Sequence, residues 1–210
     1  MILNASILSS EYKATDLIKK FNNTEVNLIH LDVMDGKFVN NKSFTASDIK
    51  KFNDISKKSF DVHLMVKNPI KYINDLALLN VNTISFHYEA VKNIEEVIEL
   101  IKNYGIKVGI AINPKTDISV LIPYLNMIDV VLVMSVEPGY SGQAFIESTY
   151  EKVGKLKELI NINNSKSLIE VDGGVNIENA PLLKEKGTDI LVSASFIQNN
   201  LDNIKEIVEL

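Results

Sequence analysis

The sequence predicts an α/β fold in which one domain, residues 1–210, forms a closed (β/α)8 barrel. Short apolar runs alternate with amphipathic stretches, eight such pairs can be counted, and polar side chains collect where the runs end. Alternation of strand and helix favours a parallel sheet with right-handed crossovers. Eight pairs in 210 residues leave about 26 residues each, against about 24 for an average strand, helix and two loops. No second domain fits into this length.

The predicted strands are continuous β-branched or apolar runs, which are typical of parallel strands buried on both faces. They cover residues 2–8, 27–32, 60–66, 83–87, 107–112, 130–135, 167–171 and 190–194. Apolar residues at helical spacing predict helices within 91–101, 150–160 and 201–208. We expect another helix to begin at Asn176, and helices to end at Gly105 and Gly187.

The composition excludes several functions. A net charge of −5 offers no basic surface for nucleic acid, and the absence of cysteine excludes disulfides and thiolate-bound metals. All 22 basic residues are lysine, so no guanidinium group can hold a phosphate. The first residues do not resemble a secretory signal, and no apolar run approaches the roughly 18 residues of a membrane span. We therefore expect a cytoplasmic protein without a membrane partner.

Four side chains that can bind a metal lie in or at the ends of three predicted strands: His30, Asp32, His63 and Asp172. Any one alone is more often a hydrogen-bonded core or turn residue, but three strands carry them at the same end. In an open sheet the second and seventh strands would lie about 24 Å apart, too far to share one ion. A closed barrel brings them together. The set then predicts a mixed N/O site for a divalent ion such as Zn, Fe, Mn or Co.

Methionines and glycines mark the surroundings of this predicted site. Met34, Met65 and Met134 lie at or just beyond strand ends, where they either fill the core or form an apolar collar over a reactive centre. Glycines concentrate in loops that follow strands, where they either permit tight turns or present backbone amides to an anion. These glycines are Gly36, Gly139, Gly142, Gly173 and Gly174. Without arginine, such amides and Ser195 are the expected phosphate ligands.

The chain resembles the ribulose-phosphate 3-epimerase family over about residues 2 to 197. The resemblance is carried in order by ASILS (5–9), HLDVMDGKFV (30–39), DVHLMV (61–66), NPKT (113–116), MSVEPG (134–139), GQAF (142–145) and EVDGGV (170–175). Each segment alone is weakly specific, but the ordered set is highly specific. The resemblance implies a (β/α)8 barrel with one divalent ion held by His30, Asp32, His63 and Asp172.

The implied reaction inverts carbon 3 of D-ribulose 5-phosphate to give D-xylulose 5-phosphate through a metal-stabilised enediolate. Asp32 and Asp172 would be the two catalytic acid/base carboxylates, and either could begin depending on direction. The implied substrate-binding residues are Ser6, Met34, Met65, Met134, Gly139, Ser141, Gly142, Gly173, Gly174, Ala194 and Ser195. The phosphate is expected on the amides of Gly142, Gly174 and Ser195. The family also implies a homo-oligomer.

Departures from the family pattern leave the metal ligands untouched. Ser141 and Ala194 each stand where the family has glycine, which concerns the phosphate loops. The nearest alternative is therefore an epimerase for a six-carbon substrate such as D-allulose 6-phosphate. A catalytically inactive sugar-phosphate-binding barrel is a second alternative. A barrel decarboxylase ranks lower, because no lysine lies between Asp32 and Asp35. His87 matches a family position that is not a ligand, so we interpret it as structural.

Overall fold

A computed structural model describes residues 1–8 and 13–210. It contains eight strands: β1 (Ile2–Ser6), β2 (Leu28–Met34), β3 (Phe60–Met65), β4 (Val81–His87), β5 (Lys107–Ile112), β6 (Val130–Met134), β7 (Leu168–Asp172) and β8 (Ile190–Ser193). The α-helices are α1 (Ala14–Phe21), α2 (Ala46–Ile55), α3 (Ile70–Leu76), α4 (Ile94–Asn103), α5 (Ser148–Ile162), α6 (Ala180–Lys186), α7 (Ser195–Asn199) and α8 (Asn203–Val208). Two short 3-10 helices span Tyr88–Ala90 and Ile118–Leu121.

The eight strands form a closed parallel barrel in sequence order, which confirms the predicted fold class. Closure occurs between β1 and β8, where Ile2 pairs with Ile190 and Ala5 pairs with Ser193. In the β2–β3 register, Asp32 lies opposite His63. Every strand therefore ends at the same rim of the barrel, and side chains two residues apart on a strand point to the same side.

The strands contribute side chains to two buried regions, one between the barrel and the helices and one inside the barrel. Their outward side chains, among them Leu31, Phe86 and Val133, are fully or almost fully buried against the helices in one apolar core. Inside the barrel, by contrast, a small apolar cluster of Ala111, Leu132, Met134 and Val136 faces many polar groups. Buried polar groups are costly unless they are paired, so the polar interior marks the candidate site.

Two sequence expectations need correction. The crossover from β5 to β6 contains the 3-10 helix Ile118–Leu121 and turns but no α-helix, so strand–helix alternation fails in this unit. Pro114 and Pro123 explain the difference, because proline lacks an amide hydrogen and disrupts a helix interior. Helix α6 begins at Ala180 rather than near Asn176; the Asn176 side chain instead accepts the amides of Glu178 and Asn179 in the preceding turn.

The predicted helix ends agree with the structure. Gly187 caps α6 in the left-handed conformation with φ 105°, and Gly105 follows α4 with φ 71°. Both positions favour glycine because it lacks a Cβ atom. None of the helices in the described part of the chain combines the length and apolar character needed to span a bilayer.

Candidate metal centre and active site

The candidate centre lies at the carboxyl ends of β2, β3 and β7. His30 and Asp32 are two residues apart on β2, while His63 lies on β3 and Asp172 ends β7. One donor atom from each of the four residues lies within 4.8 Å of the others. The barrel thus brings together all four predicted ligands from strands that are distant in sequence.

The distances among these donors suit a single small ion. His30 Nε2 lies 3.5 Å from Asp32 Oδ1 and 3.7 Å from Asp172 Oδ2. His63 Nδ1 lies 3.1 Å and 3.8 Å from the same two oxygens. In a tetrahedral site with metal–ligand bonds of about 2.05 Å, neighbouring donors would be about 3.3 Å apart. The arrangement is therefore able to hold a metal ion.

A buried polar network supports the ring of His30 from below. His30 Nδ1 lies 2.7 Å from Asp61 Oδ2, and Asn4 Nδ2 donates to that oxygen and to Glu170 Oε1, both at 3.0 Å. All four side chains are at most 1 % exposed. With its Nδ1 hydrogen donated to Asp61, a neutral His30 presents the lone pair of Nε2 to the centre.

One unpaired atom of this network, His30 Nε2, is suited to bind a cation. His30 Nε2 is buried and has no hydrogen-bond partner, although buried ring nitrogens are usually paired. It faces two carboxylates rather than a hydrogen-bond donor. The donor set of two imidazoles and two carboxylates matches ions such as Zn²⁺, Fe²⁺, Mn²⁺ and Co²⁺.

Burial and mutual charge shift the pKa values within the centre in opposite directions. Burial lowers the pKa of His30, but Asp61 and Asp32 more than offset it and hold the pKa well above its ordinary value. Burial raises the pKa of Asp32, yet His30 and His63 hold it well below its usual range. Burial, followed by the charge of Asp32, raises the pKa of Asp172 to about 7. The two carboxylates of the centre therefore differ strongly in proton affinity.

A cavity lies above the four side chains. Asp32 and Asp172 reach its floor, whereas His30 and His63 are 0 % exposed beneath it. Each substrate-binding residue predicted from the sequence lines this cavity: Ser6, Met34, Met65, Met134, Gly139, Ser141, Gly142, Gly173, Gly174, Ala194 and Ser195. Ser6 also donates a 3.2 Å hydrogen bond to Asp32 Oδ2. The geometry thus joins the predicted metal ligands and the predicted loops in one place.

The glycine loops surround the other side of the cavity. Gly173 and Gly174 follow β7 with φ of 120° and 64°, and Gly142 has φ 75°. A Cβ atom on Gly174 would lie 2.9 Å from Phe145 N and 3.1 Å from Gln143 O, which are backbone atoms that cannot easily move. Gly174 therefore allows the loops after β6 and β7 to approach each other closely. Ser141 replaces a family glycine without strain, because its φ is not positive.

We expect Gly174→Ala to raise about tenfold the KM for a substrate that binds in this cavity, the equivalent of about 1.4 kcal/mol of binding. The added methyl group would separate the loops after β6 and β7, both of which line the cavity. The matched control is Gly105→Ala, which has the same left-handed backbone strain but no atom within 4 Å of the new Cβ. Steady-state kinetics on both variants measure the effect. An equal KM in both would contradict it.

Three buried polar residues below the centre had no role predicted from the sequence. Asn4, Asp61 and Glu170 each lie two positions before a predicted site residue on the same strand: Ser6, His63 and Asp172, respectively. Because side chains alternate along a strand, this spacing would have placed them inside the barrel directly below the site. His87, interpreted as structural, contacts His63 at 2.9 Å between their Nε2 atoms.

The fold and the site together define an enzyme of the barrel class with a candidate metal centre at its catalytic rim. The chain belongs to the ribulose-phosphate 3 epimerase family, whose model matches residues 2–198.

Individual relatives agree with this assignment. The ribulose-phosphate 3-epimerase of Bacillus subtilis (strain 168) is 38% identical over 207 residues, covering 98% of this chain and 95% of that protein. The enzyme of the same name from Methanocaldococcus jannaschii is 39% identical and covers 99% and 88%. Among solved structures, a mutant tryptophan synthase alpha-subunit from Pyrococcus furiosus superposes with a TM-score of 0.70. It is 18% identical and covers 100% of this chain and 98% of its own, which supports the fold alone.

Proposed function

We propose that this protein is a metal-dependent epimerase that inverts carbon 3 of a ketose phosphate, converting D-ribulose 5-phosphate to D-xylulose 5-phosphate and back. The observation that carries the proposal is the pair Asp32 and Asp172, which reach one cavity floor from different strands beside two buried imidazoles. Membership of the family supports the same reaction. The chain is proposed to act as a single catalytic domain over residues 1–210.

Inversion next to a carbonyl group requires a proton to leave one face of carbon 3 and to return on the other. Asp32 and Asp172 are the proposed acid/base pair, so one carboxylate takes the proton and the other donates one. The direction of the reaction decides which of them begins. A divalent ion held by His30, Asp32, His63 and Asp172 would supply Lewis-acid stabilisation of the negative charge.

The remaining cavity residues are proposed to bind and shield the substrate. Met34, Met65 and Met134 are each at most 4 % exposed and give the floor of the cavity an apolar border that limits access of water. The phosphate group is proposed to lie on the backbone amides of Gly142, Gly174 and Ser195, since the chain has no arginine. Ser6 is proposed to donate a hydrogen bond to the sugar.

Identity of the ion, assembly and location belong to the same proposal. The ion is one divalent metal of the group Zn, Fe, Mn and Co, because two imidazoles and two carboxylates suit all four. The protein is proposed to act in the cytoplasm as a homo-oligomer on a small sugar phosphate. Metal analysis and light scattering on the purified protein test the ion and the assembly.

The deciding experiment compares kcat/KM for D-ribulose 5-phosphate and D-allulose 6-phosphate in deuterated water. We expect a clear preference for the pentulose phosphate and uptake of solvent deuterium at carbon 3. A preference for the hexulose phosphate would instead support the six-carbon epimerase. Binding of either sugar without deuterium uptake by metal-loaded protein would indicate an inactive sugar-phosphate-binding barrel.

A further inference from the structure

A second buried chain of polar groups leads away from the candidate centre through β4. His63 Nδ1 faces Asp32 Oδ1 at 3.1 Å, while the opposite nitrogen of the same ring, Nε2, lies 2.9 Å from His87 Nε2. His87 Nδ1 then lies 3.1 Å from Glu89 Oε2. The rings of His63 and His87 are 0 % exposed, so these contacts are shielded from bulk solvent. Three polar links thus connect Asp32 to Glu89.

The far end of this chain is fixed by the loop after β5. Glu89 Oε1 accepts the backbone amide of Asn113 at 2.9 Å and the hydroxyl of Thr116. Burial would raise the pKa of Glu89, but the hydrogen bonds from His87, Thr116 and Asn113 lower it to about 2. Glu89 is therefore an ionised group that can only accept hydrogen bonds. Phe38 packs on the His87 ring with centroids 4.7 Å apart and restricts its rotation.

The two histidine rings have too few hydrogens to complete all three links between Asp32 and Glu89. His63 and His87 are both fully buried, and a neutral imidazole ring has one ring hydrogen. Two ring hydrogens cannot satisfy three links that end in carboxylates. If His87 donates to Glu89, His63 must donate to His87, and the lone pair of His63 Nδ1 then faces Asp32. A cation at that position satisfies the third link.

We propose that His87 and Glu89 are positioning residues that select the His63 tautomer able to bind a metal through Nδ1. This inference rests on the proposed metal centre and extends it by two residues to which no binding role was assigned. Glu89 accepts from His87, His87 accepts from His63, and the ring of His63 is left with its free lone pair towards Asp32. Such outer hydrogen bonds typically change metal affinity by about 10- to 100-fold.

The substitution Glu89→Gln reverses one link of the chain. The Asn113 amide can only donate, so the side-chain oxygen of Gln would occupy the Oε1 position and its NH₂ group would face His87 Nδ1. When His63 binds a metal through Nδ1, its Nε2 hydrogen is donated to His87, so the His87 hydrogen is on Nδ1. That N–H group would then face the NH₂ group of the new Gln, and neither can accept a hydrogen bond. We expect the dissociation constant for Zn²⁺, measured by competition with a chelator, to rise about 10- to 100-fold.

The matched control is Glu99→Gln, the same change at an exposed position on α4. Its Zn²⁺ affinity should equal that of the unmodified protein.

Two variants at His87 distinguish loss of its hydrogen bonds from loss of its packing. Gln can accept from His63 and donate to Glu89, whereas Leu can do neither, so His87→Gln should retain more Zn²⁺ affinity than His87→Leu. Urea unfolding of the metal-free variants measures the change in stability separately, and the difference in Zn²⁺ affinity should persist under conditions in which both variants are fully folded.

The outcomes distinguish this inference from the proposed function. Unchanged Zn²⁺ affinity in Glu89→Gln, or equal losses in His87→Gln and His87→Leu, would overturn the positioning role. Failure of the unmodified protein to bind any of Zn²⁺, Fe²⁺, Mn²⁺ and Co²⁺ would instead reject the metal centre itself.

Discussion

Replacing either cavity-floor carboxylate, as Asp172→Asn or Asp32→Asn, is expected to lower kcat for epimerisation by at least about 10³-fold. Asparagine keeps the size and one oxygen of aspartate but cannot accept and return a proton, a role worth about 10²- to 10⁴-fold. Each variant also loses a charged donor to the metal, which adds to the effect. Steady-state kinetics in both directions, with the metal content measured in parallel, test the prediction.

Isotope exchange gives this prediction a sharper test. If one carboxylate serves each face of carbon 3, a variant that retains bound metal can still exchange the proton of one epimer with solvent but cannot convert it. Asp172→Asn should exchange the carbon-3 proton of one epimer, and Asp32→Asn should exchange that of the other. The control is Asp75→Asn, the same change at an exposed position on α3. Normal turnover by either cavity variant would refute the two-carboxylate mechanism.

Exhaustive chelation is expected to abolish epimerisation and to lower the melting temperature, both reversibly. The four donors lie close together in a buried centre, so an ion there stabilises only the folded state. At a metal concentration of about 100 times Kd, this linkage contributes about 2.7 kcal/mol of stability. For a protein of this size, that corresponds to a shift of about 5–10 °C.

Two measurements check the metal dependence. Activity and melting temperature should recover together as Zn²⁺, Fe²⁺, Mn²⁺ or Co²⁺ is added back to the chelated protein. In His63→Leu, which removes one donor from β3, the same additions should produce a much smaller thermal shift. Undiminished turnover after complete metal removal, verified by metal analysis, would exclude a catalytic role for the ion.

The sequence was informative about the strands because nearly every strand is apolar where it packs against helices. The errors in the predicted strands fall at the ends of the strands. Residues 7 and 8 were assigned to the first strand because they are apolar, and Ile7 is indeed 1 % exposed although β1 ends at Ser6. The buried segment thus extends beyond the last residue that pairs with a neighbouring strand. The missing helix between β5 and β6 shows how local proline chemistry overrides the repeating pattern of a fold.

The site was predictable in part, since charged groups in apolar strands are conspicuous. Each of the four predicted ligands was uninformative alone, and only their occurrence on three strands that a closed barrel brings together predicted the centre. Asp61 and Glu170 were missed because their significance depends on contacts between strands, although their spacing of two from His63 and Asp172 was visible. Glu89 could not be found in this way. It follows β4 in a short turn, and its partners Asn113 and Thr116 belong to the next loop.

The pairing of β1 with β8 has a consequence for the time at which the enzyme can form during synthesis. Ile2 cannot reach its partner Ile190 until the ribosome has added residues 3–190, which takes about 10–40 s at ordinary elongation rates of about 5–20 residues per second. Throughout that interval β1 has an unpaired edge, and His30 and Asp32 lack the β7 carboxylate until Asp172 has been added. The candidate metal centre of the nascent chain therefore cannot be complete before the seventh strand has been synthesised.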